Sequence, residues 1–249
     1  LARSSTINFI EGQDTAFENI TEVSPTYFLG VPRIWEKMYS SIILRMKDAT
    51  WVGRKALQIS LSVGSKTADF EDKGLPVPAH VRLMHRAADL LVLNNIKVLL
   101  GLDHVRIGLT GAAPISPDLI SWFRALGVPL YEAFGQTENV AFACGNYRGQ
   151  VRLGTVGKPP PGVELKTADD GELMIRGPLV FKGYYKQELK TAETIVDGWL
   201  YTGDIAEIDG DGFVKIVDRK KDIIITSGGK NISPSEIENQ LKFSPYVTD

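Results

Sequence analysis

Cysteine, histidine and methionine are scarce in this 249-residue chain, with one, three and four copies respectively. The lone Cys144 can neither close an internal disulfide nor build a cysteine metal cage, which fits a reducing compartment, and the cytoplasm is the expected location. His80, His85 and His104 lack metal-ligand spacing and read as ordinary surface or core residues. An excess of either charge is also missing. The 28 basic and 30 acidic residues are mixed along the chain and leave a net charge of -2, so no broad field points to nucleic acid. No apolar run approaches the ~20 residues that span a bilayer, and Leu1-Ala2-Arg3-Ser4 carries no signal-peptide core, so a soluble chain is expected. There is no initiating methionine, and Tyr246-Val247-Thr248-Asp249 reads as the beginning of a β-branched stretch; both ends are read as cuts in a longer polypeptide.

What is present is an ordinary globular composition, 43% hydrophobic and 23% charged, in a chain long enough for more than one domain. The first hundred residues read as α/β: a short strand at 27–31, then a helix after Pro32 whose Ile34, Met38, Ile42 and Met46 recur every four residues as one apolar stripe. The pattern loosens between 50 and 78, with Lys73-Gly74-Leu75-Pro76 marking a loop, and a second helix is expected over 79–100. A strand at 105–110, a turn at Gly111-Ala112-Ala113-Pro114 and a helix capped by Ser116, begun by Pro117 and ended by Gly127 follow, and 128–134 returns as a strand. That order predicts a parallel sheet with its ligands at the carboxyl ends of the strands.

Beyond Gly149 the texture is β. Hairpins are expected at 163–175, around Asp169-Asp170-Gly171, and at 200–217, around Asp209-Gly210-Asp211-Gly212. The second of these turns has some character of a calcium loop but lacks the later glutamate and the helical flanks, so it is read as a turn. Asn19-Ile20-Thr21 and Asn231-Ile232-Ser233 fit the glycosylation pattern without other signs of secretion. The charged run Asp218-Arg219-Lys220-Lys221-Asp222 reads as a surface linker and a domain boundary. After it come a strand at 223–226, a Gly228-Gly229 turn and a helix with a capping box from Ser233 to Glu236, too few residues for a core of their own. The expected organisation is an α/β part at 1–148 built on a parallel sheet, a β-rich subdomain at 149–218, and the start of a small α+β domain at 219–249.

Four segments carry chemistry: Gly111-Ala112-Ala113-Pro114, Tyr131-Glu132-Ala133-Phe134-Gly135-Gln136-Thr137-Glu138, Trp199-Leu200-Tyr201-Thr202-Gly203-Asp204, and 218–234. Each alone has a structural explanation as a turn, a helix start, a hairpin corner or a linker. In this order and at these separations they resemble the core motifs of the adenylate-forming superfamily of acyl- and aryl-CoA synthetases, luciferases and adenylation domains. Val31-Pro32-Arg33-Ile34-Trp35-Glu36-Lys37 and Ser227-Gly228-Gly229-Lys230-Asn231-Ile232-Ser233-Pro234 resemble the long-chain fatty acyl-CoA synthetase branch, including its bubblegum type. The resemblance implies ATP-dependent activation of a fatty acid to an acyl-adenylate and then to acyl-CoA, with ATP, Mg²⁺ and CoA as partners in the chemistry. Peripheral membrane contact and oligomeric state stay open, as does the choice between CoA, another acceptor, and a non-catalytic AMP-binding module.

Carried over residue by residue, the resemblance implies that Phe134 lies against adenine while Gly111, Ala112 and Ala113 approach the ring's other side, where few β-carbons stand in the way. It implies a backbone contact for Glu132, and places Gly135 in the same nucleotide-binding motif. Thr137 is implied to bond the α-phosphate and Glu138 to hold Mg²⁺, a hard cation that prefers oxygen. The same resemblance implies that Asp204 accepts the ribose hydroxyls, that Arg219 donates to the ribose and phosphate region, that Lys221 falls at a hinge, and that Gly228, Gly229 and Lys230 line the thiol's approach. The superfamily's Ser/Thr/Gly-rich phosphate loop with its lysine, and its later catalytic lysine, have no counterpart among these 249 residues, so turnover by this chain alone is expected to be absent or nearly so.

Overall fold

The computed structural model describes residues 6–12, 15–225 and 231–242. Helix α1 (Ala16–Val23) leads to strand β1 (Tyr27–Leu29) and helix α2 (Pro32–Lys47), which opens on a proline whose fixed φ suits a first turn. Met38 and Ile42 of the expected stripe are buried together with Trp35. Trp35 stands edge-on to Phe28 and Phe123, with ring centroids 5.1 and 5.0 Å apart, and its indole N–H donates to the Gly30 carbonyl at 3.0 Å.

The loosened stretch after residue 50 is in fact a helix of 22 residues, α3 (Trp51–Asp72), begun by Thr50, whose hydroxyl accepts the Gly53 N–H. Its buried face is Leu57, Ser60, Val63, Gly64 and Ala68. The lack of a side chain at Gly64 is required, because a β-carbon there would stand 1.8 Å from the Ala125 carbonyl oxygen. The helix expected over 79–100 is two, α4 (Ala79–Ala88) and α5 (Asn94–Leu100), joined without a break by a π-helical turn (Asp89–Leu93).

Strand β2 (Ile107–Thr110), helix α6 (Pro117–Ala125) and strand β3 (Leu130–Phe134) form the expected β-α-β unit. Ser116 occupies the N-cap position of α6 but its hydroxyl makes no cap bond, so Pro117 alone marks the start. Strands β1, β2 and β3 are parallel, with Leu29 beside Leu109 and Leu109 beside Tyr131, and β4 (Cys144–Gly145) adds antiparallel to β3. The main core, around Trp35, Leu93, Leu119, Phe123 and Leu126, fills the space between this sheet and the helices.

The second sheet is antiparallel. It takes β5 (Glu164–Thr167), β6 (Glu172–Arg176), β7 (Ile195–Val196), β8 (Trp199–Ile208) and β9 (Val214–Arg219) in the order β5-β6-β8-β7, with β9 on β8, and helix α7 (Glu188–Thr194) precedes β7. Its core is Leu173, Ile175, Leu200 and Val214, joined by Ala143, Cys144 and Val156, and Phe134 of β3 packs against it. The two cores therefore meet at β3 and β4. Asp218 and Arg219, expected in a linker, are the last two residues of β9, and Asp218 is buried. Beyond them β10 (Ile224–Ile225) pairs antiparallel with β11 (Asn231–Ile232), and α8 (Pro234–Lys242) packs against β9. No described helix is long and apolar enough to cross a membrane.

Candidate functional site

The carboxyl ends of β2 and β3 open beside the β8–β9 pair, and between them lies a cavity of about 140 Å³. Its walls include Ala112 to Pro114, Glu132 to Gly135, Asp204, Asp218, Arg219 and Ser235. Against the roughly 300–1,000 Å³ of a complete ligand pocket, this volume suits a flat ring rather than a whole nucleotide.

Backbone shape builds one wall. Ala112 takes a left-handed φ of 68°, turning the chain sharply after β2, and Ala112, Ala113 and Pro114 line the opening. Gly111 is not part of the lining; its missing β-carbon leaves room for the Ala133 carbonyl, 2.7 Å from where that atom would be. The bare position lets β2 and β3 approach closely. Gly135 does line the cavity, and a β-carbon there would strike the Ala141 and Phe142 backbone at 2.1 to 2.3 Å, because residues 136–142 fold back over it.

Burial shapes the electrostatics. Glu132 is buried, and burial pushes its carboxyl up to about 8, so at neutral pH it holds a proton and can donate a hydrogen bond. Its backbone carbonyl accepts the Asn146 N–H at 2.9 Å, and the residue lines the cavity. Cys144, the register partner of Phe134, lies behind this wall with its thiol pushed up to about 12 by burial and by Glu132, which leaves it unreactive.

The opposite wall carries ions. Asp204 of β8 and Arg219 of β9 are register partners, and the guanidinium Nε donates to Asp204 Oδ1 at 3.0 Å. Asp204 Oδ2 accepts from Gln136 Nε2 at 2.7 Å. Burial raises the Asp204 carboxyl to about 6, and Arg219 and Gln136 only partly offset it. Asp218, one residue before Arg219, accepts from the Ser235 hydroxyl at 2.9 Å and the Ser235 N–H at 3.2 Å, with the Ser233 hydroxyl 2.7 Å away. Burial works against its ionisation, but these donors outweigh burial and hold the carboxyl below its ordinary value.

Thr137 and Glu138 form a 3₁₀ turn just outside the cavity lining, with Thr137 exposed. The Glu138 carboxylate accepts the Tyr184 hydroxyl at 2.7 Å, and its carbonyl accepts the Phe181 N–H at 2.8 Å. Among the described residues no cluster of three His, Cys, Asp or Glu side chains is placed to hold a metal. Lys221 is exposed in the turn after β9, away from the cavity, whereas Lys220 is held by Asp170 at 2.6 Å and Glu172 at 2.8 Å. Gly228, Gly229 and Lys230 lie outside the described residues. Gln136 and Asp218 fall inside the chemistry-bearing segments without a role of their own there, and Tyr184 and Ser235 fall outside them. Gln136 lies inside a recognised motif, but nothing local marks Tyr184, whose partner is 46 positions away.

Residues 1–185 match the family described as AMP-binding enzyme. Among curated proteins the chain is 42% identical over 224 residues to fadD11 of Mycobacterium tuberculosis, covering 89% of this chain and 39% of that protein. It is 34% identical over 244 residues to FadD15 of Mycobacterium bovis, named a long-chain-fatty-acid–CoA ligase, covering 98% and 40%. The chain thus spans about two fifths of the length of these relatives. Among solved structures, the anthranilate CoA ligase AuaEII with anthranoyl-AMP superposes with a TM-score of 0.65 at 22% identity, over 96% of this chain and 39% of that one. O-succinylbenzoate CoA synthetase of Bacillus subtilis with ATP and magnesium gives 0.51 at 34% identity, over 56% and 31%.

Proposed function

The chain belongs to the AMP-binding enzyme family, and from that premise we propose that it binds the adenosine part of ATP and serves the activation of a long-chain fatty acid to acyl-adenylate and acyl-CoA. The observation that carries this reading is the meeting, in one cavity, of the β2 turn and Phe134 with the Asp204–Arg219 pair, an apolar slot beside an anionic acceptor. The long-chain acid as substrate rests on what FadD15 is named for.

In this reading the slot between Ala112 and Phe134 takes adenine, and Glu132 offers it a carboxyl proton. Asp204 accepts from the ribose hydroxyls, and Arg219, half-exposed, has donors to spare for the phosphate. The Thr137 hydroxyl donates to the α-phosphate. Carboxylate and triphosphate repel each other, so positioning and charge neutralisation carry the reaction. The donor set fits a divalent cation that keeps phosphate and water ligands, since the turn carrying Thr137 offers a single carboxylate, Glu138. When bound, Mg²⁺ would neutralise phosphate charge there, and Glu138 would exchange the Tyr184 hydroxyl for the metal. The turn at Lys221 would be the pivot of the segment that follows it, and 1–148, 149–218 and 219–249 the structural units.

Calorimetric titration of the chain with AMP tests the binding half. AMP should bind in preference to GMP, and Asp204→Ala should weaken it by roughly 1.5–3 kcal/mol, the worth of bonds to a charged group. Unchanged affinity in that variant rejects the ribose assignment. Fatty-acid-dependent pyrophosphate exchange by the 249-residue chain should be undetectable. In the natural gene product, AMP release that does not respond to CoA would reject the ligase.

A further inference from the structure

We propose that Gln136 is a positioning residue that aims the Asp204 carboxylate and thereby sets the preference for an intact ribose diol. The inference rests on reading the cavity as an adenosine site. Gln136 follows Gly135 where β3 gives way to the 3₁₀ turn, yet its side chain crosses to the other sheet. Its Nε2 donates to the Thr202 carbonyl at 2.8 Å and to Asp204 Oδ2 at 2.7 Å. Both amide protons are therefore committed to acceptors on β8, and a flipped amide would set its own oxygen against two others. The turn that carries Gln136 is itself fixed, for its N–H donates to Asn139 Oδ1 at 2.7 Å.

Asp204 is consequently held from two sides. Arg219 of β9 takes Oδ1 at 3.0 Å and Gln136 takes Oδ2, while the side chain is only 4% exposed. Each carboxylate oxygen can accept more than one hydrogen bond. With one acceptor position of each oxygen engaged inside the protein, the plane of the carboxylate is set, and the remaining positions stay available on the cavity side. Two vicinal hydroxyls bond to two oxygens of one carboxylate only when that plane matches the diol. Without the Gln136 donor the carboxylate can swivel about its last bond with Arg219 as its sole guide, and both sugar hydroxyls lose alignment together. Glutamate at this position would set its carboxylate against the Thr202 carbonyl and the Asp204 carboxylate, and asparagine is one carbon short of β8.

The test compares AMP, 2′-deoxy-AMP and 3′-deoxy-AMP by calorimetry in the natural chain and in Gln136→Met and Gln136→Glu, with circular dichroism melts to confirm folding. The natural chain should favour AMP over either deoxynucleotide by about five- to tenfold, the range expected of one hydrogen bond. In both variants AMP should weaken most, having two hydroxyl bonds to lose, and each deoxynucleotide less, having one, so that the ratio falls below about twofold. A residue that merely supports the turn would weaken all three in proportion. An unchanged ratio in whichever variant folds overturns the inference while leaving the adenosine site in place. If the natural chain fails to bind AMP, or binds all three alike, the adenosine reading falls and this inference with it.

Discussion

The two walls of the cavity are made by different means. The parallel-sheet side presents backbone shape: Ala112 in a left-handed turn, Gly135 under a folded-back loop, and one aromatic ring. The antiparallel side presents charge, with Asp204, Asp218 and Arg219 on the paired strands β8 and β9. A wall of shape tolerates little change in volume, and a wall of charge tolerates little change in proton count. Substitutions should accordingly fail in different ways on the two sides.

The largest effect is expected at Gly135→Val, where the new side chain meets backbone and not a movable side chain. Loss of at least about 4 kcal/mol, or failure to fold, should appear in urea melts; a stable variant with native AMP affinity would break the contrast. Glu132 crosses it, being a titrating group in the wall of shape. Its carboxyl is raised from 4.5 to about 8, so the folded chain holds the proton, and the stability this gives is full below pH 4.5 and lost as pH rises through 8. Glu132→Gln, which never ionises, should match the natural chain near pH 4 and exceed it by up to about 5 kcal/mol at pH 9, at ~1.36 kcal/mol per unit.

On the charged side the same sign holds over a narrower window. Asp204, raised from 3.8 to about 6, makes the natural chain lose up to about 3 kcal/mol between pH 4 and pH 7 relative to Asp204→Asn. That variant, which turns its amide nitrogen toward the Gln136 or Arg219 donor, should bind AMP more weakly while its stability stays level with pH, and thermal melts across pH with calorimetry separate the two effects. Melting temperatures that fall in parallel from pH 4 to pH 7 in both chains would show that the carboxylate is not raised by burial. The smallest effect is expected at Tyr184→Phe, roughly 1 kcal/mol in stability from one part-buried hydrogen bond, with Mn²⁺ binding, followed by its paramagnetic signal, slightly tightened because Glu138 is released.

The sequence made much of this legible where local rules are strong. Pro117 and Gly127 bracketed α6, the Asp169-Asp170-Gly171 turn located the β5–β6 hairpin, and the motifs at 111–114 and 131–138 fell at the carboxyl ends of β2 and β3, where the cavity opens. Helix α3 escaped because its buried face uses Ser60, Gly64 and Ala68. Small residues let α6 approach closely but give almost no hydrophobic periodicity. Asp218 escaped for the opposite reason. In a run of five charged residues it looks solvated, and only the strand's alternation turns it inward onto Ser233 and Ser235, fifteen and seventeen positions later. The Glu138–Tyr184 bond is likewise a product of packing between distant segments.

The left-handed backbone at Ala112 has a further consequence. Glycine would sit there without strain, whereas an alanine keeps its methyl group at a cost on the order of 1 kcal/mol. Val140 and Ala141, folded back over Gly135, share the same conformation at φ 59°. Three of the six non-glycine residues with a left-handed φ among those described thus stand at or next to one small cavity, in side chains too plain to attract notice by their chemistry. Glycine at any of the three would relieve the backbone and at the same time free it to move, so comfort gained there is rigidity lost from the wall.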